Sequence, residues 1–395
     1  MKPLGELGSL FTDGDWIETK DQSSEGIRLV QTGNIGVGVF KDRRDKARWI
    51  SEETFDRLKC EEIFEGDILV SRLPDPVGRA CLIPSVPDRC ITGVDCAIIR
   101  LNNAVTAQFV MRFCNSTGYF KEVESLATGA TRKRISRKNL GTIKVPIPPL
   151  EEQQRIVEVL DEAFAAIDKA KANIERNLTN ARELFQSRLN DIFSNPSEDW
   201  EERDFGEVCE IIGGSQPPKS TFKYEPQEGY VRLVQVRDYR TEKFKTFIPK
   251  SLAKKFCDSS DIMIGRYGPP IFGIFGGLEG AYNVALMKAV PDESMVDKEY
   301  FRWFLKSRDL VRFVELTSKR AAGQDGVRKE RLYAYPTPIP PMRVQRAIIE
   351  ELTHLNELNI ALIGAFESKL EDLEELRQSI LEQAFEGKLT GPVAA

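Results

Sequence analysis

Residues 146–157 read PIPPLEEQQRIV, and residues 338–349 read PIPPMRVQRAII. Each residue of the first stretch aligns with the one 192 positions later, and the register holds without a gap as far as Phe193 and Phe385. A repeat of this length at a constant spacing indicates one structural unit that is present twice. The repeat therefore decides the fold, and the rest of the chain is arranged around it.

Both copies predict long helices. No proline interrupts either copy after its Pro-Pro pair, and apolar residues recur in steps of three and four, which is typical of the seam of a coiled coil. A helix of roughly 43 residues would extend about 65 Å and would leave an apolar stripe in water if it stood alone. We expect the two copies to pair with each other; the alternative is that each helix packs on its neighbouring domain. The residues expected in the pairing are Ile156, Leu160, Ile167, Ile174, Leu178, Ile348, Leu352, Leu362, Phe366, Leu370 and Leu373.

Length and composition indicate a multidomain globular protein. The 395 residues exceed one typical core, and the chain is 41% hydrophobic and 30% charged, with no apolar run of membrane-spanning length. The first twenty residues carry acids and lack the apolar region of a secretory signal. Seven cysteines without a CxxC pair predict reduced thiols and a cytoplasmic location.

The net charge of -5 is unevenly distributed. Residues 1–149 carry 22 lysines and arginines against 20 acids, and residues 205–341 carry 22 against 17. The helical stretches are acidic, with 7 basic residues against 14 acids over 150–204 and 5 against 10 over 342–395. The segments outside the helices can therefore bind a polyanion, although the overall charge is negative.

The segments that precede the two helices also resemble each other, but less closely than the helices do. IRLVQ at 27–31 returns as VRLVQ at 231–235, and DILVSR at 67–72 returns as DIMIGR at 261–266. Residues 106–127 and 300–313 are predicted to be equivalent helices, and 68–70 and 96–101 to be buried strands. The fold class is thus α+β, with two similar mixed α/β domains, two long helices and a pseudo-two-fold internal repeat. The predicted boundaries are 1–145 for the first domain, 146–195 for the first helix, 196–337 for the second domain, and 338–395 for the second helix and C-terminal tail.

The sequence predicts no catalytic or metal site. The single histidine, His354, lies inside the second helix, and no zinc spacing, Cys-His pair or phosphate-binding GxxxxGK[ST] loop is present. The remaining candidates are basic clusters at equivalent places in the two domains, suited to phosphate contacts. Arg43, Arg44, Arg72 and Arg266 are candidates for fork-shaped contacts to guanine. The other candidate DNA-binding residues are Lys41, Thr131, Arg132, Lys133, Arg134, Arg137, Lys138, Lys319, Arg320, Arg328, Lys329 and Arg331.

These features resemble the specificity subunit of Type I restriction-modification enzymes. The resemblance rests on the twin PIPP-helix stretches and on the second-domain start, WEERDFGEVCEIIGGSQP from Trp200, and it covers essentially the whole chain. The second helix departs from the pattern, with Arg343-Val344 where the first has Glu151-Glu152.

The resemblance implies two target recognition domains, each reading one half of a split sequence in double-stranded DNA. It also implies that the two helices pair antiparallel and set the spacer between the half-sites. Such a subunit has no catalytic activity and no cofactor of its own. Two modification subunits carrying S-adenosylmethionine would dock on the helical regions, restriction subunits would join them, and no membrane is involved.

Two rival hypotheses remain at this stage. A coiled-coil scaffold joining two protein-binding domains would need no nucleic acid, and its binding would lack a steep salt dependence. A stand-alone methyltransferase is disfavoured, because the chain lacks a cofactor glycine motif placed after a strand.

Overall fold

The buried strands predicted for the first domain are present in the computed structural model of the protein, which describes residues 1–268, 271–319 and 325–389. The chain divides into two compact units. The first unit contains Met1–Ile174 and Glu367–Ala395, and the second contains Glu175–Phe366. Each unit holds part of both long helices, whereas the predicted boundaries set the helices apart from the domains.

The first unit is built on short strands. They are β1 (Lys2–Pro3), β2 (Leu10–Asp13), β3 (Ile27–Val30), β4 (Arg48–Ile50), β5 (Glu62–Ile63), β6 (Ile68–Ser71), β7 (Ala80–Leu82), β8 (Cys90–Thr92), β9 (Cys96–Arg100) and β10 (Lys144–Val145). The sheets are ordered β2-β9-β6-β7 and β4-β3-β8-β5, and β1 pairs with β10. The helices are α1 (Glu52–Leu58), α2 (Ala104–Phe113), α3 (Thr117–Leu126) and α4 (Arg137–Thr142), followed by the long α5 (Leu150–Ser194).

The second unit repeats this plan. Its strands are β11 (Glu201–Asp204), β12 (Cys209–Gly213), β13 (Tyr230–Val234), β14 (Phe247–Pro249), β15 (Phe256–Cys257), β16 (Ile262–Gly265), β17 (Ile274–Phe275), β18 (Gly280–Tyr282), β19 (Leu286–Pro291) and β20 (Pro336–Ile339). The helices are α6 (Phe205–Val208), α7 (Lys298–Phe304), α8 (Arg308–Ser318) and α9 (Lys329–Tyr333), followed by the long α10 (Met342–Phe385).

The two units share one sheet topology. The second unit has the orders β12-β19-β16-β17 and β14-β13-β18-β15 and the pair β11-β20, so each strand has a counterpart in the first unit. Even the parallel pairing is repeated, because β3 runs parallel to β8 and β13 runs parallel to β18. The internal repeat predicted from the sequence is therefore confirmed.

The central strands β6 and β16 hold the cores together. Ile68, Leu69 and Val70 are fully buried, as are the residues of the second unit's Ile262–Ile264. Because both faces of these strands are covered, their first three residues are all apolar instead of alternating with polar ones. The predicted strands at 68–70 and 96–101 are confirmed, except that β9 ends at Arg100.

The single helix predicted over 106–127 is wrong, because the chain forms α2 and α3 with a break between them. Ser116 begins α3 by accepting a hydrogen bond from the Tyr119 N–H at 3.3 Å. Asn115 is buried in the break and bonds both backbone groups of Ala80, at 3.0 and 3.1 Å. The predicted helix at 300–313 is likewise α7 and α8, separated before the N-cap Ser307.

A buried glutamine fixes the start of each long helix. Gln153 donates to the Pro148 carbonyl at 2.8 Å, and Gln345 donates to the Pro340 carbonyl at 2.8 Å. The Pro148 and Pro340 carbonyls lie before the first acceptors of the helical ladder, so a side-chain donor supplies their hydrogen bond. These bonds give a physical reason for the Pro-Pro and glutamine positions that recur 192 residues apart.

The two long helices run antiparallel. In the first unit Asp168 of α5 pairs with Arg377 of α10 at 2.7 Å, and in the second unit Arg188 pairs with Glu351 at 2.6 Å. The helices also pack on the domain cores, so each helix contacts both the other helix and its neighbouring domain. Among the residues expected in the pairing, Leu362 is 45% exposed. Those that are buried are Ile156, Leu160, Ile167, Leu178, Ile348 and Leu352, and those that are half-buried are Ile174, Phe366, Leu370 and Leu373.

The cysteines are free and buried, as the sequence predicts for reduced thiols. Burial raises the pKa of the Cys60 thiol to about 11 and that of Cys81 to about 12. These thiols are therefore protonated at neutral pH and behave as small apolar side chains.

Candidate nucleic-acid interface

A polar cleft opens on the first unit between its two sheets. It has a volume of about 240 Å³, and Trp16 at its edge is 68% exposed. Exposed aromatic and polar side chains in one concave site are suited to contacting bases. The cleft is lined by Asp15, Trp16, Ile17, Leu29, Gln31, Thr32, Gly93, Val94, Asp95 and Cys96.

Backbone hydrogen bonds hold the wall of the cleft at Asp15. The Asp15 N–H donates to the Thr92 carbonyl at 2.8 Å, and the Val94 N–H donates to the Asp15 carbonyl at 2.9 Å. The Asp15 carboxylate accepts from the Glu61 N–H at 3.0 Å. Burial nevertheless raises the pKa of Asp15 to about 6, so the side chain ionises within the cleft near neutral pH.

Two predicted basic segments reach this cleft. Arg134 pairs with Asp95 at 3.0 Å, and both side chains are partly exposed. The guanidinium of Arg43 lies beside Gly33, in the 3-10 turn that also contains the cleft residue Thr32. One guanidinium thus pairs with a residue that lines the cleft, and a second lies beside the turn that contains the lining residue Thr32.

The neighbouring residues of these segments also lie at the surface. Lys41 and Arg44 are exposed, and Arg44 makes two hydrogen bonds of 2.9 Å to Asp88. Arg137, which begins α4, donates to the Phe11 carbonyl at 3.0 Å. Thr131, Arg132, Lys133 and Lys138 are exposed.

The structure contradicts the predicted base contact of Arg72. Its side chain is only 7% exposed, lies 3.1 Å from the Asp13 carboxylate and donates to the Val94 carbonyl. An arginine held inside the domain by these partners cannot present its fork to a base. Arg72 instead supports the wall of the cleft from behind.

The second basic cluster occupies the equivalent place in the second unit. The Val327 N–H donates to the Arg266 carbonyl at 3.1 Å, as the Ile135 N–H does to the Arg72 carbonyl at 3.2 Å. Arg266 is half-buried, with its guanidinium 5.1 Å from the centre of the Tyr267 ring.

The other members of this cluster are at the surface or outside the described residues. Arg328 donates to the Lys319 carbonyl at 2.8 Å, and the Lys329 ammonium lies 5.0 Å from the centre of the Tyr333 ring. Lys319 and Arg331 are exposed. Arg320 lies outside the described residues.

The structure identifies one basic residue that the sequence reasoning missed. Gln31 and Gln235 precede equivalent 3-10 turns, and their N–H groups donate to Asn34 and Asp238 at 2.9 and 3.0 Å. This alignment puts Arg237 where the first unit has Gly33. The repeated LVQ tripeptide was the signal, since Arg237 lies two residues after Gln235.

The described residues contain neither a candidate metal site nor a candidate membrane-spanning helix. Across the described parts of the chain, no group of three or more His, Cys, Asp or Glu side chains could hold a metal ion. Within the same ranges, no helix has the length and apolar character needed to cross a bilayer. His354 lies exposed on α10.

Comparison with known proteins identifies the family. A family model described as the type I restriction modification DNA specificity domain matches residues 1–178 and 197–372. The EcoKI specificity subunit of Escherichia coli K12 is 24% identical over 344 residues, covering 77% of this chain and 70% of that protein. The putative MjaX specificity subunit of Methanocaldococcus jannaschii is 23% identical over 404 residues, covering 94% and 89%.

Solved structures show the same fold. A chain from a structure of the type I R-M system, described in terms of complex assembly and conformational transition, aligns with a TM-score of 0.79 at 21% identity, over 98% of this chain and 97% of that one. The HsdS subunit of Thermoanaerobacter tengcongensis aligns with a TM-score of 0.59 at 22% identity, over 98% and 96%.

The duplicated α+β domain, the paired long helices and the matching family model together define a two-domain DNA-recognition protein. The chain belongs to the type I restriction-modification DNA specificity family and is a specificity subunit with two DNA recognition domains.

Proposed function

We propose that each unit reads one half of a bipartite DNA target. The observation that carries this proposal is a set of backbone hydrogen bonds that is the same in the two units, although the side chains at the positions it holds are different. The Gly14 N–H donates to the Cys96 carbonyl at 2.9 Å, and the equivalent Gly214 N–H donates to the Leu286 carbonyl at 3.1 Å. The residues after these glycines are Asp15 and Ser215. A backbone that is the same in both units but carries different side chains is suited to two domains that bind different DNA sequences.

The antiparallel helices would fix the number of base pairs between the half-sites. A straight helix pair has a defined length, about 1.5 Å per residue, and α5 and α10 have 45 and 44 residues. The ion pairs described above hold the register of the helices, and the buried glutamines fix where each helix begins, so that length is a property of the chain.

The helices would also dock the partner subunits. Part of α10 exposes a run of acids, which would repel DNA and leave this surface to protein. Two modification subunits carrying S-adenosylmethionine would bind the helical regions, and restriction subunits would join the complex in the cytoplasm. The chain itself would contribute recognition and no catalysis. The acidic residues are Glu367, Glu371, Asp372, Glu374 and Glu375.

A methyl-transfer assay tests this division of labour. The full chain, its modification subunits and the reconstituted complex would each be incubated with radiolabelled S-adenosylmethionine and genomic DNA. We expect sequence-specific label only from the complex, and no heat of S-adenosylmethionine binding by the chain alone in calorimetry. Tight cofactor binding by the isolated chain, or labelling of DNA without it, would overturn the proposal.

A further inference from the structure

Because the two units have the same fold, residues present at equivalent positions in both can be distinguished from residues present in only one. Both half-sites have the same phosphate backbone, so residues that both units retain suit that backbone, whereas residues in only one unit suit the sequence that differs. Arg43 lies where a side chain on Gly33 would be, and Arg237 occupies the equivalent position. Both units therefore have an arginine in or beside this turn, and the guanidinium of Arg237 donates to the Thr246 hydroxyl at 3.0 Å. An arginine retained in both units suits the shared phosphate backbone.

Arg134 and Asp95 form the contrasting case. The Arg72 N–H donates to the Asp95 carbonyl at 2.9 Å, and the Arg266 N–H donates to the Ala285 carbonyl at 2.9 Å, so Ala285 is the equivalent of Asp95. The residues before Ile135 and Val327 are Arg134 and Gly326. The pair that edges the first cleft is thus replaced by alanine and glycine in the second unit.

The second unit cannot restore the arginine by a simple substitution. A Cβ atom on Gly326 would lie 2.7 Å from the ring of Tyr267, closer than a side chain tolerates. That ring is held by Arg266, whose guanidinium lies 5.1 Å from its centre. The glycine at position 326, where the first unit has Arg134, is therefore required by the packing of Tyr267 in the second unit.

The chemistry of the pair suits a base with two acceptors. Asp95 holds one terminal nitrogen of Arg134 at 3.0 Å, and the arginine side chain remains 43% exposed. Arginine has five donors in a planar fork, so the nitrogens not bound to Asp95 can still bind a ligand. A fork fixed by a carboxylate fits the O6 and N7 acceptors of guanine in the major groove.

We propose that Arg134, positioned by Asp95, reads a guanine in the half-site bound by the first unit, and that this contact determines specificity in that half-site alone. The inference rests on the proposed function, because it requires a bipartite target. It separates Arg134 from the exposed neighbour Arg132, whose charge would suit a phosphate contact.

The test compares four variants of the full chain, at Arg134, Arg132 and Asp95, each assembled with its modification subunits. Arg134→Ala removes the fork, and Arg134→Lys keeps the charge without the fork. Arg132→Ala, two residues away, is the matched control. For each complex the methylated motif is determined by sequencing genomic DNA, and affinity is measured for the motif and for duplexes changed at one base pair.

We expect both Arg134 variants to accept any base pair at one G·C position of one half-site, with discrimination there reduced about tenfold to a hundredfold. The other half-site and the spacer stay unchanged. Arg132→Ala should weaken binding to every duplex equally and leave the motif intact. Asp95→Ala should relax the same position less strongly, because it loosens the fork without removing it.

Two outcomes would overturn the inference. An unchanged motif with uniformly weaker binding in both Arg134 variants would show a phosphate contact only. Relaxation in both half-sites would show that the residue does not act within one unit. If Arg134→Ala does not fold, Arg134→Lys decides between these results. A wild-type complex that methylates no bipartite motif would instead refute the proposed function, and the inference with it.

Discussion

At the scale of single residues, the glutamines that recur 192 positions apart show how the repeat is maintained. Gln345 is fully buried and makes three hydrogen bonds, donating to the Pro340 and Met295 carbonyls and accepting from the Asp297 N–H at 2.7 Å. Gln153 is also buried, and its amide donates to Pro148. The glutamine in the second unit therefore connects its long helix to α7 as well as to the prolines.

Replacing Gln345 by alanine should lower the free energy of unfolding by about 3 kcal/mol, because several buried backbone groups lose their partners. Gln153→Ala should cost about 1 kcal/mol, in keeping with fewer lost bonds. Urea unfolding followed by circular dichroism measures both. Gln154→Ala, on the exposed face of α5, is the control, and a Gln345→Ala cost no larger than the control would contradict this role.

The raised pKa of Asp15 predicts a pH dependence of stability. The folded state binds the Asp15 proton more tightly than the unfolded state, so this group contributes stability at low pH that is lost as pH rises through about 6. Asp15→Asn, which cannot ionise, should therefore be more stable relative to the wild type at pH 7 than at pH 5. Thermal unfolding at the two values measures the difference.

Asp292→Asn serves as the control that should not respond in this window. The Ser294 hydroxyl and N–H donate to the Asp292 carboxylate and hold its pKa below the ordinary value, so its contribution is lost only below about pH 4 and the difference from the wild type should be the same at pH 5 and pH 7. A wild-type advantage over Asp15→Asn that grew from pH 5 to pH 7 would contradict the assigned shift.

Residue roles were the least predictable part of the site. Arg72 and Arg134 have the same chemistry in the sequence, yet Arg72 is buried beneath the cleft and Arg134 edges it. Their difference depends on carboxylates distant in the chain, Asp13 and Asp95. Asp95 could not be predicted from the sequence, because an acidic residue is expected to repel DNA and its pairing with Arg134 is visible only in the structure.

At the scale of elements, the long helices were predictable because a helical period continues through more than forty residues of each one. The break between α2 and α3 was not predictable from periodicity. Ser116 and Asn115 look like ordinary polar residues, and only the contact of Asn115 with Ala80 makes the interruption favourable. Tertiary contacts overrode a locally helical pattern.

The helix pair predicts how the spacer responds to length. Inserting one heptad at matched places in both helices, near Ala170 and Leu362, adds about 10 Å, or about three base pairs of DNA. We expect the methylated motif to keep both half-sites with a spacer longer by that amount. Sequencing of the methylated genome measures it.

The same heptad inserted near Ala170 alone is the control. It lengthens α5 but not α10, so the ion pairs Asp168–Arg377 and Arg188–Glu351 cannot both be kept and activity should fall steeply. A change in either half-site sequence after the matched insertion would contradict the separation of spacing from reading.

At the scale of the whole molecule, the chain is one plan used twice. The duplication, the α+β class and the paired helices could all be predicted, because repeats and periodicity are properties of the sequence itself. The base sequence recognised could not, since it depends on side-chain geometry in clefts such as the one edged by Trp16 and Arg134. DNA shape also contributes at positions that no side chain touches.

The most direct test of two independent readers is an exchange of residues 205–337 for those of a family member with a known target. The methylated motif of the chimera, assembled with the same modification subunits, is then compared with that of the wild type by sequencing. We expect a bipartite motif in both, with one half-site replaced and the other half-site and the spacer preserved. A continuous motif, or a change in both half-sites, would contradict this expectation.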